Sequence, residues 1–288
     1  MKNKALTALL FGLCCLILLS SCAKKDKGNT DTTAADTAPV QNGMVYQYSG
    51  GGNSDRVVSG INYENGIETY RQSYDYWPDG RLQGITRTVN GQETESWNYN
   101  YYPEGQLMQM VYLYTDGGVE CRDDYKYTES GDIQSISSYV DGESMGSTVY
   151  TYNDDGKCTK EELLDPNGAV IKHTEYTLDE KGNKVSAHFF EFGSEFAYSL
   201  YEYNKNGSVI SVKNYRKDGT FTGEESFEYN ADKTMKRATK KDSVGKTVSH
   251  TEYLYDDGFC YREIYYENGK PVYRYDYSKE GTRSYYSY

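Results

Sequence analysis

The sequence is poor in the residues that build an ordinary protein core. Hydrophobic residues make up only 37% of the 288 residues, and the 33 tyrosines supply much of that fraction, so leucine, isoleucine and valine are sparse. A conventional aliphatic core is therefore not expected. A fully disordered chain is not expected either, because disordered sequences contain few aromatic residues.

The chain also contains fewer basic than acidic residues. The chain has 31 lysines and arginines against 43 aspartates and glutamates, which gives a formal net charge of −12. Nucleic-acid binding requires a basic surface that neutralises phosphates. We therefore expect no nucleic-acid partner, and we attribute the acidity to solubility.

Metal-ligand spacings are absent. Three of the six cysteines lie in the first 22 residues, and the others are far apart, at Cys121, Cys158 and Cys260. The three histidines are scattered, and no acidic run has the spacing of a calcium loop. We predict no zinc site, no disulfide framework and no cofactor.

Catalytic motifs are missing as well. No nucleophile elbow, phosphate loop or dinucleotide-binding glycine pattern occurs. Acidic residues such as Asp154 and Asp155 lie in turn sequences, where aspartate is favoured for backbone reasons. We predict that the protein is not an enzyme. The alternative, a glycan-acting hydrolase, requires two carboxylates about 5 to 9 Å apart across a cleft.

Residues 1–21 have the features of an export signal. A basic start is followed by an apolar run over 5–19, which is short for a membrane span, and then by Leu19-Ser20-Ser21-Cys22. This ending resembles the lipobox of bacterial lipoproteins. The resemblance implies that the thiol of Cys22 receives a diacylglycerol and that cleavage leaves Cys22 as the first residue.

Residues 22–43 form a polar segment without apolar periodicity, and we predict a flexible tether. Together with the lipobox, this segment predicts a protein anchored by lipid to the cell membrane or the outer membrane. Several acyl chains hold a protein stably on a bilayer. The folded part faces outside the cytoplasm in this interpretation.

Residues 44–288 are predicted to be one repeat domain. The phrase Tyr150-Thr-Tyr152-Asn-Asp-Asp-Gly156 predicts a strand, a three-residue turn and a second strand. It recurs about every 25 to 26 residues. The aromatic pair stands at Tyr74/Tyr76, Tyr99/Tyr101, Tyr125/Tyr127, Tyr150/Tyr152, Tyr201/Tyr203, Phe227/Tyr229, Tyr253/Tyr255 and Tyr275/Tyr277, with Tyr176/Leu178 between the fourth and the fifth.

A second turn lies midway through each unit, as at Asn90-Gly91 and Asn268-Gly269. The fold class is therefore predicted as all-β: an antiparallel meander of about nine two-strand repeats, or about 18 to 20 strands. A sheet this long curls or splits. We expect a long twisted or curled sheet, open, spiral or in two layers, with the tyrosine side facing inward.

Two further sets of residues occupy equivalent positions in successive repeats, each at a fixed even number of residues after the first-turn glycine. We call each set a column. Because side chains alternate along a strand, we predict that both columns share the face of the tyrosine pair. The first column is Leu82, Leu107, Ile133, Cys158, Val209 and Met235, and the second is Leu113, Tyr139, Leu164, Phe190 and Tyr215.

The repeat resembles two known families. Tyr152-Asn-Asp-Asp-Gly156 and Tyr203-Asn-Lys-Asn-Gly207 resemble the YD repeats of RHS-type bacterial surface proteins, and Tyr266-Glu-Asn-Gly-Lys270 resembles a MORN-type repeat. Both resemblances imply arrays of β-hairpins, and YD repeats in large toxins wrap into a hollow shell. This chain has no toxin domain, so encapsulation of a toxin is not expected.

The candidates for ligand binding are aromatic residues beside turns, at the entry to a strand, or crowded into the irregular stretch between Tyr176/Leu178 and Tyr201/Tyr203. They suit sugar stacking and protein interfaces, because a ring offers an apolar face and a polar edge. They are Trp77, Trp97, Tyr102, Phe190, Phe192 and Phe196. The leading hypothesis is a display domain that binds a glycan or an envelope protein. The alternative is a passive spacer with no specific ligand.

Overall fold

The computed structural model describes residues 43–49, 56–64, 66–114, 118–279 and 283–288. The leader, the predicted lipidation site Cys22 and almost all of the tether lie outside these ranges. The described residues form 20 strands joined by turns: β1 Gly43–Tyr48, β2 Val57–Glu64, β3 Ile67–Tyr76, β4 Leu82–Val89, β5 Gln92–Tyr101, β6 Leu107–Tyr114, β7 Glu120–Tyr127, β8 Ile133–Val140, β9 Glu143–Tyr152, β10 Cys158–Leu164, β11 Val170–Leu178, β12 Lys184–Glu191, β13 Ser194–Tyr203, β14 Val209–Arg216, β15 Phe221–Tyr229, β16 Met235–Asp242, β17 Thr247–Asp256, β18 Phe259–Glu267, β19 Lys270–Tyr277 and β20 Arg283–Ser287.

Each strand pairs antiparallel with the next one along the chain, and β20 also pairs with β1 through Arg283 and Tyr46. The sheet therefore closes into a barrel. The meander of 20 antiparallel strands is as predicted, but the prediction of an open, spiral or two-layer sheet was wrong. Closure is favourable because it leaves no edge strand with unpaired backbone N–H and C=O groups.

In seven hairpins of the described chain the predicted first turn is a three-residue loop, and between β17 and β18 it is a two-residue turn. At Asn153–Lys157 the Asn153 N–H donates to the Lys157 carbonyl at 3.0 Å, and Gly156 has a φ of 72°. Lys233 adopts a φ of 72° in the one loop where lysine replaces the glycine. We call the barrel end that carries these loops the first-turn end, and the opposite end the second-turn end.

A β-bulge directly after the first turn changes which residues share a face. Tyr76 pairs with Leu82, but the preceding Asp75 pairs with Gly84, so Gln83 is an extra residue in β4. The same shift occurs in eight hairpins. An extra residue moves every later side chain of the strand to the other face.

The prediction that the second column shares the face of the tyrosine pairs was therefore wrong, because the bulge moves this column to the opposite face. Tyr139 pairs with Arg122, Phe190 with His173, and Tyr215 with Tyr198, on the face opposite the tyrosine pairs. The first column stays opposite the second tyrosine of each pair, as Leu82 does with Tyr76. We call the face that carries the tyrosine pairs the tyrosine face.

The barrel is too wide for side chains to fill it. Strands spaced 4.7–4.9 Å apart give a 20-stranded ring a circumference of about 95 Å and, if circular, a diameter of about 30 Å or more. The extensive contacts of each strand are with its two neighbours. Accordingly, Ala187 is the one fully buried hydrophobic side chain among the described residues.

We infer that the tyrosine face is the concave, inner one. Tyr46 of β1 and Tyr74 of β3 flank Gly60 of β2, and their ring centroids are 6.5 Å apart. Strands two apart are separated by about 9.5 Å, so side-chain tips approach each other on the concave side. In seven repeats the residue between the two members of the pair is exposed, whereas the flanking side chains, two rings in six repeats and Tyr176 and Leu178 in the seventh, are half-buried: Asp75, Asn100, Lys126, Thr151, Thr177, Glu202 and Glu228.

Candidate ligand-binding site

The second tyrosine of most pairs has a structural role. Its hydroxyl donates to the backbone carbonyl of the first residue of the preceding strand, over 2.7 to 2.9 Å. This contact joins two strands at the end where no turn connects them. These tyrosines are Tyr76, Tyr101, Tyr127, Tyr152, Tyr203 and Tyr229.

Trp97 lies on the tyrosine face in the middle of β5. It stands opposite Ile85 of β4 and Tyr112 of β6, and its ring centroid is 4.8 Å from that of Tyr112. The ring of Tyr114 meets Tyr112 edge-on, also at 4.8 Å. The sequence analysis selected Trp97, and the structure places it among other aromatic side chains rather than alone.

Arg87 brings a charge into this aromatic group. Its guanidinium carbon lies 4.2 Å from the ring centroid of Tyr70 and 5.4 Å from that of Trp97. Its Nη1 atom pairs with the carboxylate of Glu95 at 2.7 Å. Its Nε is buried and has no hydrogen-bond partner among the described residues. We call Tyr70, Arg87, Glu95, Trp97 and Tyr112 the Trp97 cluster.

The electrostatics of the cluster keep its phenols protonated. Burial raises the pKa of Tyr70, although Arg87 opposes the shift. Burial also raises the pKa of Tyr112, and its bond to Tyr114 and the nearby Glu95 raise it further. Both hydroxyls therefore remain hydrogen-bond donors throughout the neutral range. The cluster offers ring surfaces, neutral donors, a guanidinium and one carboxylate, which suits recognition of a polar ligand with apolar patches.

The other predicted residues are not brought together with Trp97. At the first-turn end, Tyr102 bonds through its hydroxyl to the Tyr125 carbonyl at 3.1 Å, while Trp77 is partly exposed beside its turn. Phe190 is stacked 4.2 Å from His173 on the opposite face. Phe192 and Phe196 lie at the second-turn end, as described below.

Sequence reasoning missed an aromatic row on the outer face. The rings of Tyr198 and Tyr215 are stacked at 4.9 Å, and His188 is stacked on Tyr198 at 5.7 Å. His250 and Tyr266 form a similar pair at 4.4 Å. The signal was present in the column that contains Tyr215, but the bulge hid its face. Because these rings cover each other's surfaces, they leave mainly edges for a ligand.

Metal ligands are not assembled in the described part of the chain. It contains no group of three or more histidine, cysteine or acidic side chains that could hold an ion. Cys121, Cys158 and Cys260 are free thiols. Burial raises the pKa of Cys260 to about 11, so this thiol stays protonated and unreactive.

Among the residues that the structure describes, no helix has the length and apolarity needed to cross a membrane.

Comparisons with known proteins give no family. No protein-family model matches the chain, and no curated protein matches it. Among solved structures, the chain is similar to the TcdB2-TccC3-Cdc42 complex at 12% identity and a TM-score of 0.32, over 80% of this chain and 16% of that one. It is similar to a Tc holotoxin pore from Photorhabdus luminescens at 12% identity and 0.33, over 81% and 17%.

A third similar structure is a porin-like protein from Bacteroides uniformis, at 12% identity and a TM-score of 0.37, over 85% of this chain and 94% of that one. The chain thus spans about a sixth of the toxin chains that it matches. At these identities and TM-scores, none of the similarities bears on function.

Proposed function

We propose that the protein is a lipid-anchored, non-enzymatic binding protein of the bacterial cell envelope that holds a glycan inside its barrel. The observation that carries the proposal is the Trp97 cluster on the concave face. There, a half-buried guanidinium lies between two aromatic rings beside a carboxylate. The anchor is supported by the lipobox-like Leu19-Ser20-Ser21-Cys22, and the display domain by the YD-like repeats.

A glycan fits the chemistry of this face better than a small apolar ligand. Sugar rings have apolar faces that stack on aromatic rings and hydroxyls that need paired donors and acceptors. The cluster supplies both, with neutral phenols at Tyr70 and Tyr112 and charged groups at Arg87 and Glu95. A backbone ring about 30 Å in diameter is wide enough to admit a polymer chain beside the side chains that line it, rather than enclosing a small molecule.

The test is affinity electrophoresis of the full chain through gels that contain mannan, xylan, dextran or alginate. We expect at least one polysaccharide to retard the protein. Trp97→Ala should weaken that binding tenfold or more, which corresponds to about 1.4 kcal/mol. Trp77→Ala, at the first-turn end, is the matched control and should change binding less than twofold.

A second variant protects this test against loss of folding. Arg87→Lys keeps the charge but removes the planar group that stacks between Tyr70 and Trp97, so binding should fall while the melting temperature changes little. If no polysaccharide retards the protein, the glycan proposal is wrong and a passive spacer is favoured. If Trp77→Ala and Trp97→Ala weaken the retardation equally, the Trp97 cluster is not the binding site.

The anchor is tested separately by mass spectrometry of the N-terminal peptide from the membrane-extracted protein. We expect acyl chains on Cys22 and their loss in Cys22→Ala. An N-terminal peptide without acyl chains would remove the anchor from the proposal and leave the glycan site untouched.

A further inference from the structure

Exposed apolar side chains are concentrated at the second-turn end of the barrel. Every large hydrophobic side chain that is more than half exposed among the described residues lies there: Ile67 at 70%, Phe192 at 76%, Phe196 at 51%, Val244 at 84% and Tyr288 at 53%. The first-turn end has none as exposed as these. We call these five residues the apolar rim.

Two members of the rim occupy turn positions that the other repeats give to polar residues. Phe192 has a φ of 47° in a two-residue turn, where Asn90, Asp141 and Asn268 have the same left-handed backbone. A bulky aromatic residue is strained in that conformation, whereas asparagine and aspartate tolerate it. The chain thus places a phenylalanine where it is both strained and exposed to water.

Val244 shows the same exchange in a three-residue turn. The equivalent positions hold Asn167 and Asp218, and the Asp218 carboxylate accepts a bond from the Thr220 N–H at 2.9 Å. In the Val244 turn the Asp242 carboxylate accepts bonds from the N–H groups of Val244 and Lys246 at 3.0 and 2.9 Å, so the turn does not require a polar side chain at position 244. A strained phenylalanine and an exposed valine in turns at one end of the barrel are typical of a contact surface.

The chain enters the barrel at this same end. β1 begins at Gly43, which pairs with Tyr63. Tyr63 precedes Glu64, the last residue of β2 before the turn to β3. The rim extends along the same end from β12 through the junction of β20 and β1 to β3, and so it surrounds this entry point. The 21 residues from Cys22 to residue 42 connect the entry point to the predicted acylation site.

We propose that the apolar rim rests in the interfacial layer of the lipid bilayer that holds Cys22. The proposal rests on the lipid anchor proposed above. The tether predicted from the sequence has 21 residues, and a flexible chain of that length has a root-mean-square span of about 25 Å, which would keep the rim near the membrane surface. Tethering raises the effective concentration, so a weak interfacial preference of a few apolar side chains is enough to orient the barrel.

The test uses the acylated full chain reconstituted in phosphatidylcholine vesicles with and without brominated lipids, which quench nearby tryptophan. The wild type carries Trp77 and Trp97, and its quenching is the baseline. We expect Phe192→Trp to raise the quenched fraction at least twofold above that baseline. Val244→Trp, at a turn position without the left-handed φ, should do the same and guards against misfolding of the first variant.

Asp257→Trp is the matched control, because Asp257 has a φ of 53° in a two-residue turn at the first-turn end. It should add no quenching. Equal quenching of all three variants, or no quenching at either rim position, would overturn the proposal. A rim tryptophan whose emission shifts with protein concentration in the absence of lipid would point instead to contact between copies of the chain.

Mass spectrometry of Cys22 on the same samples distinguishes failure of the lipid anchor from failure of the rim contact. Acylated protein whose rim tryptophans are not quenched refutes the rim contact alone. Protein that carries no acyl chain refutes the anchor, and the rim contact with it.

Discussion

The hairpin body and the closing junction of the barrel use different means to hold neighbouring strands together. From β1 to β20, each pair is consecutive in the chain, and nearly every pair contains a bulge that shifts its register. The junction of β20 with β1 joins opposite ends of the chain and is paired through Arg283 and Tyr46. The adjacent β19–β20 pair has no register shift.

Aromatic packing holds β20, the strand that closes the barrel, against its neighbour β19. Tyr285 lies 5.5 Å from Tyr273 and 5.2 Å from Tyr275, and the guanidinium carbon of Arg283 lies 3.9 Å above the Tyr275 ring. Turn chemistry therefore joins consecutive strands, whereas the barrel closes where strands from opposite ends of the chain pair with each other. The following four variants test this difference, beginning with the largest effect.

Gly146→Ala should strongly destabilise the hairpin body. Gly146 has a φ of 110°, and a Cβ atom there would lie 2.1 Å from the Leu164 carbonyl oxygen of the next strand. We expect a loss of about 3 kcal/mol or more in the free energy of unfolding, measured by urea denaturation. Gly142→Ala, at a turn where a Cβ would meet nothing within 4 Å, should cost less. Equal losses would mean that the close contact between the strands carries no weight.

Arg283→Ala should open the junction while the body stays closed. It removes the cation–π contact with Tyr275 that holds β20 on β19, worth about 1–2 kcal/mol, and so frees the strand that pairs with β1. We expect amide hydrogen exchange in β1 and β20 to accelerate about 5- to 30-fold, with little change in β7 and β8. Arg122→Ala removes a similar contact, 4.2 Å above Tyr139, from the β7–β8 pair, which lies away from the junction. If its strands open as readily as the junction, the comparison fails.

Tyr152→Phe tests the contacts between repeats within the body. The Tyr152 hydroxyl donates to the Ile133 carbonyl at 2.7 Å, and its removal leaves that carbonyl without this donor. We expect a loss of about 1 kcal/mol in thermal unfolding. Tyr261→Phe removes a hydroxyl from a more exposed ring and should stay within about 0.5 kcal/mol of wild type. An unchanged melting temperature for Tyr152→Phe would argue against a stabilising role.

Phe192→Asn should have the smallest effect, with the opposite sign. It restores the residue type of Asn90 and Asn268 at a left-handed turn position, so we expect a gain of about 0.5 kcal/mol in the free energy of unfolding. Chemical denaturation without lipid measures it. A loss of stability would show that Phe192 packs within the fold rather than serving an external surface.

The sequence predicted the hairpins because their signals are local. Asn153–Lys157 carries its own turn chemistry, and the tyrosine pairs mark one face. Face assignments failed beyond the bulge at positions such as Gln83, because counting residues by two assumes an unbroken ladder. Closure was not predicted, since the pairing of Tyr46 with Arg283 joins residues more than 200 positions apart in the sequence.

The candidate site was predicted only in part. Trp97 stood out because it departs from the tyrosine columns, but Tyr70, Arg87 and Tyr112 did not. They reach Trp97 from three other strands, and their meeting depends on the register after two bulges. The apolar rim was recognised only as a crowded stretch around Phe192, because Ile67, Val244 and Tyr288 join it through the circular arrangement of the strands.

Because the barrel is closed by repeated hairpins, its diameter depends on the number of two-strand units. Because each strand packs extensively only on its neighbours, one whole two-strand unit can be removed without disturbing a central core. The remaining strand number is even, so the first and last strands still meet antiparallel. Each unit gained or lost changes the diameter by about 3 Å. The inner width of this architecture can therefore change in regular steps.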